Sequence, residues 1–423
     1  MRRIAIIGAG QAGLHLAVNL VDAGYGVTLF SDRTPEAILN GKPGGMPVLF
    51  PNSMQLEERL NFWQEEFPGS DVFRSEVLDP EGNLALTVSY PLEQPWQAVD
   101  QRLKFFTWMQ EFVKIGGELV VQKMTLADLE ECAKNYDLVL VSSGRGSFAN
   151  LFARDAQKST HDKPKRHITS IIVTGLQGDP VDLRASQMTV IPEVGEIIQM
   201  PFYAKGKFSA HVIAFEACPG GKMDQFSQIQ SGQEVLEMSK TVIQQLKPWH
   251  YEFVKNMELA DEQAWINGAI TPTVRHPIGR LPSGAIVMGI GDAVILQDPL
   301  TGQGANSATK MAHLVKQQII EHGNQRFDES WMQRVFDEFW NYAQYTYAFT
   351  DCLLSPPDYL QDIMMAMAEN PEITRDYLNG LNHPPSLSSW FFDAESAKEY
   401  LAQKKASVEA DNLNIRVGCV TAV

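Results

Sequence analysis

Near its N-terminus the chain reads Ile4-Ala5-Ile6-Ile7 and then Gly8-Ala9-Gly10-Gln11-Ala12-Gly13, an order of residues that few folds can use. The β-branched run predicts a short strand buried in a parallel sheet. A helix is predicted from Ala12 to Ala23, with Leu14, Ala17, Leu20 and Val21 on one side and Gly24 placed as its C-terminal cap. Val27 to Phe30 reads as the next strand. A GxGxxG run between strand and helix is the phosphate-binding turn of a dinucleotide-binding βαβ unit. Its first glycine makes the turn, its second lets the backbone approach a pyrophosphate, and its third lets helix and strand pack closely. The helix N-terminus then attracts the phosphate charge. Gly8, Gly10, Gln11, Ala12 and Gly13 are therefore candidate cofactor-binding residues. Ser31, Asp32 and Arg33 join them, because a carboxylate just past the second strand can bond a ribose; Ser31 holds the usual position and Asp32 is one residue beyond it.

A second segment decides which dinucleotide is expected. Ala285 to Met288 predicts a strand, which leads into Gly289-Ile290-Gly291-Asp292 and then Asp298-Pro299-Leu300-Thr301-Gly302-Gln303-Gly304-Ala305-Asn306. This run is similar to the second flavin-binding motif of aromatic-hydroxylase flavoproteins. The similarity implies that the Asp bonds the ribityl chain and that a helix start faces the pyrimidine edge of the isoalloxazine. A helix N-terminus suits the negative charge of a reduced flavin. Gly291, Asp292, Pro299, Gly302, Gly304, Ala305 and Asn306 are candidate flavin contacts, and FAD is the expected cofactor. Arg102, opening the predicted helix after Ala98-Val99-Asp100-Gln101, stands where this class places a flavin-contacting arginine. Ser143 and Gly144 end the run Tyr136-Asp137-Leu138-Val139-Leu140-Val141-Ser142 and are further candidates. One-component hydroxylases usually carry an Asp at the position of Ser143, serving both flavin and nicotinamide. With no second GxGxxG after a strand, the chain is expected to receive its flavin already reduced.

The rest of the chain supplies the frame. Helices are expected at Leu103 to Ile115, Leu126 to Ala133, 231–247 and 303–322, with strands at Leu119 to Val121 and Leu138 to Val141. Ser170–Thr174, Met188–Ile191, Ile197–Pro201 and Ala210–Ala214 alternate as consecutive antiparallel strands. Residues 34–96 give no regular elements, 327–390 reads as helical with a break at Pro356-Pro357, and 404–423 reads as a weakly ordered tail. The expected fold is α/β: a Rossmann-like FAD-binding domain of the aromatic-hydroxylase type, formed discontinuously by 1–165 and 265–325. A second mixed or antiparallel β-sheet substrate domain spans 166–264, and C-terminal helices with the tail span 326–423.

A formal net charge of −16 and a pI near 5.0 argue against nucleic acid or an anionic membrane as partner, since both need a basic footprint. No run reaches the roughly 20 apolar residues of a membrane-spanning helix. Cys132, Cys218, Cys352 and Cys419 form no CxxC pair, so no zinc site or disulfide framework is expected, and a reduced, cytoplasmic setting fits.

Five stretches together resemble the oxygenase components of the styrene and indole monooxygenase family: Gly8–Leu16, Ala98–Leu103, Tyr136–Gly144, Asp298–Asn306 and Leu353–Leu360. The resemblance implies a two-component FAD-dependent monooxygenase. A separate NADH-dependent flavin reductase supplies reduced FAD, which forms a C4a-hydroperoxide with O2 and epoxidises or hydroxylates an apolar alkene or aromatic. No catalytic side chain and no metal are then expected, because the flavin carries the chemistry; a homodimer is also implied. The substrate loop departs from the family: Gly44-Gly45-Met46-Pro47-Val48-Leu49-Phe50 replaces distinctive polar or sulfur-containing residues, and Trp96 stands where a small residue is usual. Met46, Pro47, Leu49, Trp96, Met200, Phe202 and Tyr203 are the candidate substrate-pocket residues. Two other readings remain open at this point: a one-component NAD(P)H-dependent hydroxylase or halogenase-like flavoenzyme, and a flavin-binding protein without catalysis.

Overall fold

A computed structural model describes residues 2–79, 81–144 and 148–420, with side chains as far as 407 except that of residue 149. The opening strand is Arg3–Ile7 and the glycine-loop helix Gln11–Asp22, followed by the strand Gly26–Ser31. Parallel pairing runs Ile4↔Val27 on one side of the first strand and Ile4↔Leu138 on the other. The resulting six-stranded sheet has the order 278–280, 286–289, 138–141, 3–7, 26–31, 118–121. All of its pairings are parallel except that of Ile278–Arg280, which returns antiparallel to Ile286–Gly289. Ile4, Ile6, Leu29 and Leu140 are buried, which is why these short runs read as continuous apolar stretches.

Helices cover both faces of this sheet. The glycine-loop helix packs on the helix Gln303–His322, and the helix Gln101–Lys114 brings Trp108 and Phe112 into the same core. Each such aromatic contributes about 1.5–3 kcal/mol by leaving water. Gly24, at φ +85°, follows the helix end as the sequence predicts.

A nine-stranded sheet forms the second layer, in the order 258–259, 167–174, 209–217, 195–203, 185–191, 70–78, 84–98, 48–49, with 265–269 also paired to 167–174. The four expected strands between 167 and 217 form its centre, with Met200 opposite Val212 and Ile198 opposite Met188. The segment 34–96, which gave no regular elements in sequence, contributes a long hairpin, Ser70–Leu78 with Leu84–Ala98. Ser70–Leu78 pairs in parallel with Ala185–Ile191, so the hairpin belongs to the second layer. Pro91 and Pro95 obscured the strand in sequence. They are tolerated because most of Leu84–Ala98 has no neighbour beyond it, only Val48–Leu49 pairing at its far end.

The helices Glu329–Leu354, Tyr359–Glu369 and Pro371–Asn382 follow, with the break falling at Pro356-Pro357. The expected weakly ordered tail is a correction: a helix runs from Ala394 to Val420. Its first turns are anchored, since Ala397 is buried and Lys404 pairs with Glu372 and Asp376. The alternation of charged and small residues there gave no apolar face to read. Among the described residues no helix is long and apolar enough to cross a membrane.

Candidate active site

The glycine loop adopts the form its sequence demands. Gly8 sits at φ +114°, and a Cβ there would meet Ser142 Oγ at 2.7 Å. A Cβ on Gly13 would lie 2.0 Å from the Gly8 carbonyl oxygen, so strand and helix touch through bare backbone. Gly10, in contrast, meets nothing within 4 Å and faces the cavity. It is also the N-cap of the helix, with no side chain capping the first amides. Uncapped amides beside open space are what a pyrophosphate requires, so these residues fit the adenine-dinucleotide half of FAD.

Beneath the loop lies a buried polar cluster that fixes its position. Gln11 Nε2 donates to Thr309 Oγ1 at 2.8 Å and also to Glu57. Thr309 Oγ1 donates to Glu57 at 2.7 Å, and Lys104 Nζ reaches the same carboxylate at 2.6 Å. Gln11 therefore offers its backbone to the cavity while its amide nitrogen is used inward. His15 joins this layer through Leu56 O at 3.0 Å, and burial holds its imidazole below its usual pKa. It does not line the cavity.

Ser31, Asp32 and Arg33 all line the cavity, but they are not equivalent. Ser31 Oγ donates to the Arg33 carbonyl at 2.7 Å and accepts from the Arg33 amide at 3.3 Å, so its hydroxyl closes a local turn. Asp32 extends outward, with a side chain 69% exposed. Of the two positions that sequence left open, Asp32 has the reach for a ribose.

The second segment approaches the same cavity from the other side. Asp298 Oδ1 accepts from the Leu300 amide at 3.1 Å, and Gly302, at φ +66°, is the N-cap of the helix Gln303–His322 with no side chain capping it. Pro299, Gly302, Gly304 and Ala305 line the cavity, as do Ser143, Gly144 and Asp292. A Cβ on Gly144 would meet the Asp292 backbone at 2.6 Å, which keeps these two turns in contact. Gly13, Gly291 and Asn306 lie behind the wall. Gly291, at φ +58°, abuts Ala12, and Asn306 donates to Val48 O at 2.9 Å while accepting from the Phe50 amide at 3.0 Å. Asn306 thus clamps the substrate loop to the start of this helix.

Arg102 is placed elsewhere than the sequence expectation. Its guanidinium is 1% exposed and bonds Asp100 at 2.7–3.1 Å and Asp261 at 3.0 Å. It does not line the cavity. Burial opposes its charge, but these two carboxylates more than restore it. The residue ties the helix Gln101–Lys114 to the far side of the second sheet, a contact that a helix-start position could not reveal.

The cavity measures about 2410 Å³ and continues from the glycine loop onto one face of the second sheet. Strand register sets that face: Ser75, Met188, Ile198, Ala214 and Ser170 form one cross-strand row, and Phe73 and Ser186 continue into the next beside Met200 and Val212. Met46, Pro47, Trp96 and Met200 line it. Leu49 does not, because alternation turns Val48 and Phe50 to the cavity. Phe202 packs in the apolar core under it, and Tyr203 stacks on Phe67 at 5.5 Å with its hydroxyl on Glu66. The C-terminal helices close the far wall with Leu360, Ile363, Met364, Met367 and Tyr377.

Several lining residues escaped the sequence. Lys42 sits over the Trp265 ring at 3.2 Å and spans the gap between the two layers. Arg275 faces the Asp292 turn, and burial lowers its pKa. Arg166 grips Glu196 through two bonds of 2.7 and 2.8 Å, and Glu216 lies on the adjacent strand. Only the cluster of arginines around Arg275 carried any signal; the others needed the sheet register.

Comparison with known proteins agrees with this geometry. Residues 144–252 match the family model of the styrene monooxygenase A substrate binding domain. Over 97% of its length the chain is 24% identical to the styrene monooxygenase StyA of Pseudomonas fluorescens, of which 100% is covered, and equally to that of a Pseudomonas sp.. Among solved structures, the flavin-dependent brominase Bmp2 superposes with a TM-score of 0.67 at 14% identity, covering 97% of this chain and 99% of that one. A flavoprotein/dehydrogenase from Cytophaga hutchinsonii gives 0.63 at 14% identity, with 90% and 92% covered. The structural likenesses establish the shared flavoprotein fold, and the full-length relatives together with the substrate-domain match make the chain similar to the styrene monooxygenases, a likeness that supports a flavin-dependent monooxygenase.

Proposed function

We propose that this protein is the oxygenase component of a two-component system. It would take reduced FAD from a separate NADH-dependent flavin reductase and use O2 to epoxidise or hydroxylate an apolar alkene or aromatic. The observation that carries the reading is the continuous cavity of about 2410 Å³ shared by the glycine loop, the Pro299–Ala305 segment and the apolar sheet face. Pockets for one small ligand are typically about 300–1,000 Å³, so this volume supports a dinucleotide and a substrate held together. The relatives named styrene monooxygenase support the substrate class, and Ser143 in place of the aspartate usual in one-component enzymes supports external reduction.

Reduced FAD, when bound, supplies the electrons that split O2 and carries the transferred oxygen atom. The remaining work belongs to the protein. In this reading 1–165 and 265–325, less the strands 48–49, 70–98 and 265–269 of the second sheet, form the flavin-binding unit. The amides following Gly10 hold the pyrophosphate, Asp32 holds the adenosine ribose, and the start of the helix Gln303–His322 favours negative charge at the flavin's pyrimidine edge. Met188, Ile198, Met200 and Trp96 exclude water and seat an apolar molecule. Trp96 packs edge-on against Phe50 at 4.9 Å and so narrows the chamber on the side of the Gly44–Phe50 loop.

The test is NADH consumption and product formation from styrene-like substrates, with and without an added flavin reductase. The reading expects neither activity from the protein alone and both when a reductase supplies reduced FAD. Rapid NADH oxidation by the isolated protein would overturn the two-component assignment.

A further inference from the structure

A buried carboxyl group, Glu216, lines the polar end of the substrate cavity, and a second, Asp298, lies behind it at the turn before the helix Gln303–His322. Glu216 lies in the cross-strand row Val77, Val190, Glu196, Glu216 and Ile168 and lines the cavity. It is 2% exposed, and Asp298, at the start of the flavin-facing turn, is 0% exposed. The cation that faces them among the described residues, Arg166, is already committed to Glu196 through its two bonds. Asp298 Oδ1 takes the Leu300 amide, but Asp298 Oδ2 and Glu216 Oε2 are both buried with no donor among the described residues. Two neighbouring carboxylates in this setting cannot both be ionised, and one proton between them satisfies both orphaned oxygens. Burial raises both carboxyls above their ordinary range, and Glu196 adds to the effect on each while Arg166 opposes it.

Asp298 also borders a small void of about 10 Å³. Gln297, Asp298, Tyr347, Thr350, Asp351 and His161 surround it. His161 Nε2 bonds Asp351 Oδ1, and the Asp351 side chain is 32% exposed. The void thus brings Asp298 beside the half-buried pair of Asp351 and His161.

We propose that Glu216 and Asp298 share one proton and form the inner end of a proton path that enters at Asp351 and His161. This rests on the monooxygenase reading above. The reaction needs such a supply. When an anionic reduced flavin and O2 oxygenate a double bond, two electrons leave the flavin, one oxygen atom bonds to the substrate carbons, and the other departs as water. That water takes one hydrogen from the reduced flavin and one proton from elsewhere. The apolar stretch of wall formed by Met188, Ile198, Met200 and Trp96 cannot provide that proton, whereas Glu216 borders the chamber and is refilled through Asp298. Besides these two, the titratable and charged groups around the pair are Glu196 on the neighbouring strand, Arg166 before the first central strand, Cys218 after the Glu216 strand, and Tyr347, His161 and Asp351 across the void.

The experiment begins with infrared difference spectra of the apoprotein, which are independent of flavin chemistry. At neutral pH the protein is expected to show a protonated-carboxyl carbonyl band that shifts in D2O, is lost in Glu216→Gln and moves in frequency in Asp298→Asn. The amide oxygen introduced by Asp298→Asn still accepts from the Leu300 amide, so this variant separates loss of the neighbouring carboxyl from loss of the turn. A band unchanged in both variants would overturn the shared proton. Single-turnover oxygenation with reduced FAD and styrene then tests the path. Glu216→Gln is expected to slow the return of oxidised flavin by about 10²-fold, and Asp351→Asn to slow it at high pH with a larger solvent isotope effect. Wild-type rates, pH profile and isotope effect in all three variants would overturn the path even if the band behaves as expected. Failure of the wild-type protein to oxygenate any substrate would count against the proposed function and leave the infrared result standing.

Discussion

Two alanine substitutions three residues apart in the glycine loop should separate folding from cofactor binding. At Gly13 a Cβ would stand 2.0 Å from the Gly8 carbonyl oxygen and 2.5 Å from Ser142 Oγ. The first of these is backbone and cannot rotate away, so the helix must shift off the strand. Overpacking of this kind costs about 1–3 kcal/mol. At Gly10 the backbone is extended, at φ −96° and ψ −169°, and the new methyl meets no protein atom within 4 Å. Exchanging one non-capping N-cap residue for another there costs the apoprotein at most about 1 kcal/mol. The methyl would, however, occupy the space assigned to the pyrophosphate. We expect Gly13→Ala to lower the thermal midpoint of the apoprotein clearly, and Gly10→Ala to leave it within a few degrees. Gly10→Ala should weaken reduced FAD binding by tenfold or more, about 1.4 kcal/mol. The assays are calorimetric melting of the apoprotein and anaerobic fluorescence titration with photoreduced FAD. Gly10→Ala binding FAD as tightly as the parent would refute the placement of the phosphates on this loop.

Three further outcomes follow from the packing. Arg102→Leu would strand the buried Asp100 and leave Asp261 with Lys205 as its only cation among the described residues, and should cost about 3–5 kcal/mol in denaturant unfolding; a stability loss below about 1 kcal/mol would contradict the structural role given to Arg102. His250 stacks on Phe253 at 4.6 Å, and burial, with Lys247 and Arg74 nearby, pushes its pKa down to about 3. The unfolded imidazole titrates near 6.5, so this contribution is whole above that pH and declines as pH falls from about 6.5 towards 3. His250→Phe should therefore flatten the acid limb of the stability curve by on the order of 1–3 kcal/mol, a change that urea midpoints measured across that window would show or exclude. Trp96→Phe should open the chamber beside Phe50 and Phe73 and raise kcat/KM for bicyclic over monocyclic alkenes several-fold, about 1 kcal/mol of discrimination; an unchanged ratio would remove Trp96 from the substrate wall.

What could be read from sequence was local. The glycine loop and the Asp298–Asn306 run each contain their own turn, helix start and close approaches within about ten residues, so their chemistry is written contiguously. Strands between 167 and 217 were visible because short apolar runs are separated there by turn residues, although both faces of the sheet are buried. The hairpin 70–98 was hidden because Pro91 and Pro95 interrupt a strand that stands mostly at an edge. Arg102 could not be placed, since one of its carboxylates, Asp261, comes from a distant loop and reverses the meaning of a helix-start arginine. Glu216 looked like the polar member of an alternating strand. Its significance depends on Asp298, which approaches it from another layer, and on Arg166 being already paired with Glu196. Phe202 and Tyr203 were assigned to the cavity by their strand, but the strand runs past the cavity's edge before reaching them.

The central claim is that this chain holds reduced flavin in a chamber protected for oxygen transfer. Rapid mixing of photoreduced FAD and protein with oxygenated buffer, followed by absorbance, addresses it directly. The account predicts a long-lived species spectrally distinct from both reduced and oxidised flavin, whose decay an apolar alkene accelerates with formation of its oxygenated product. Direct return to oxidised flavin, at the rate of free FAD and without product, would contradict it.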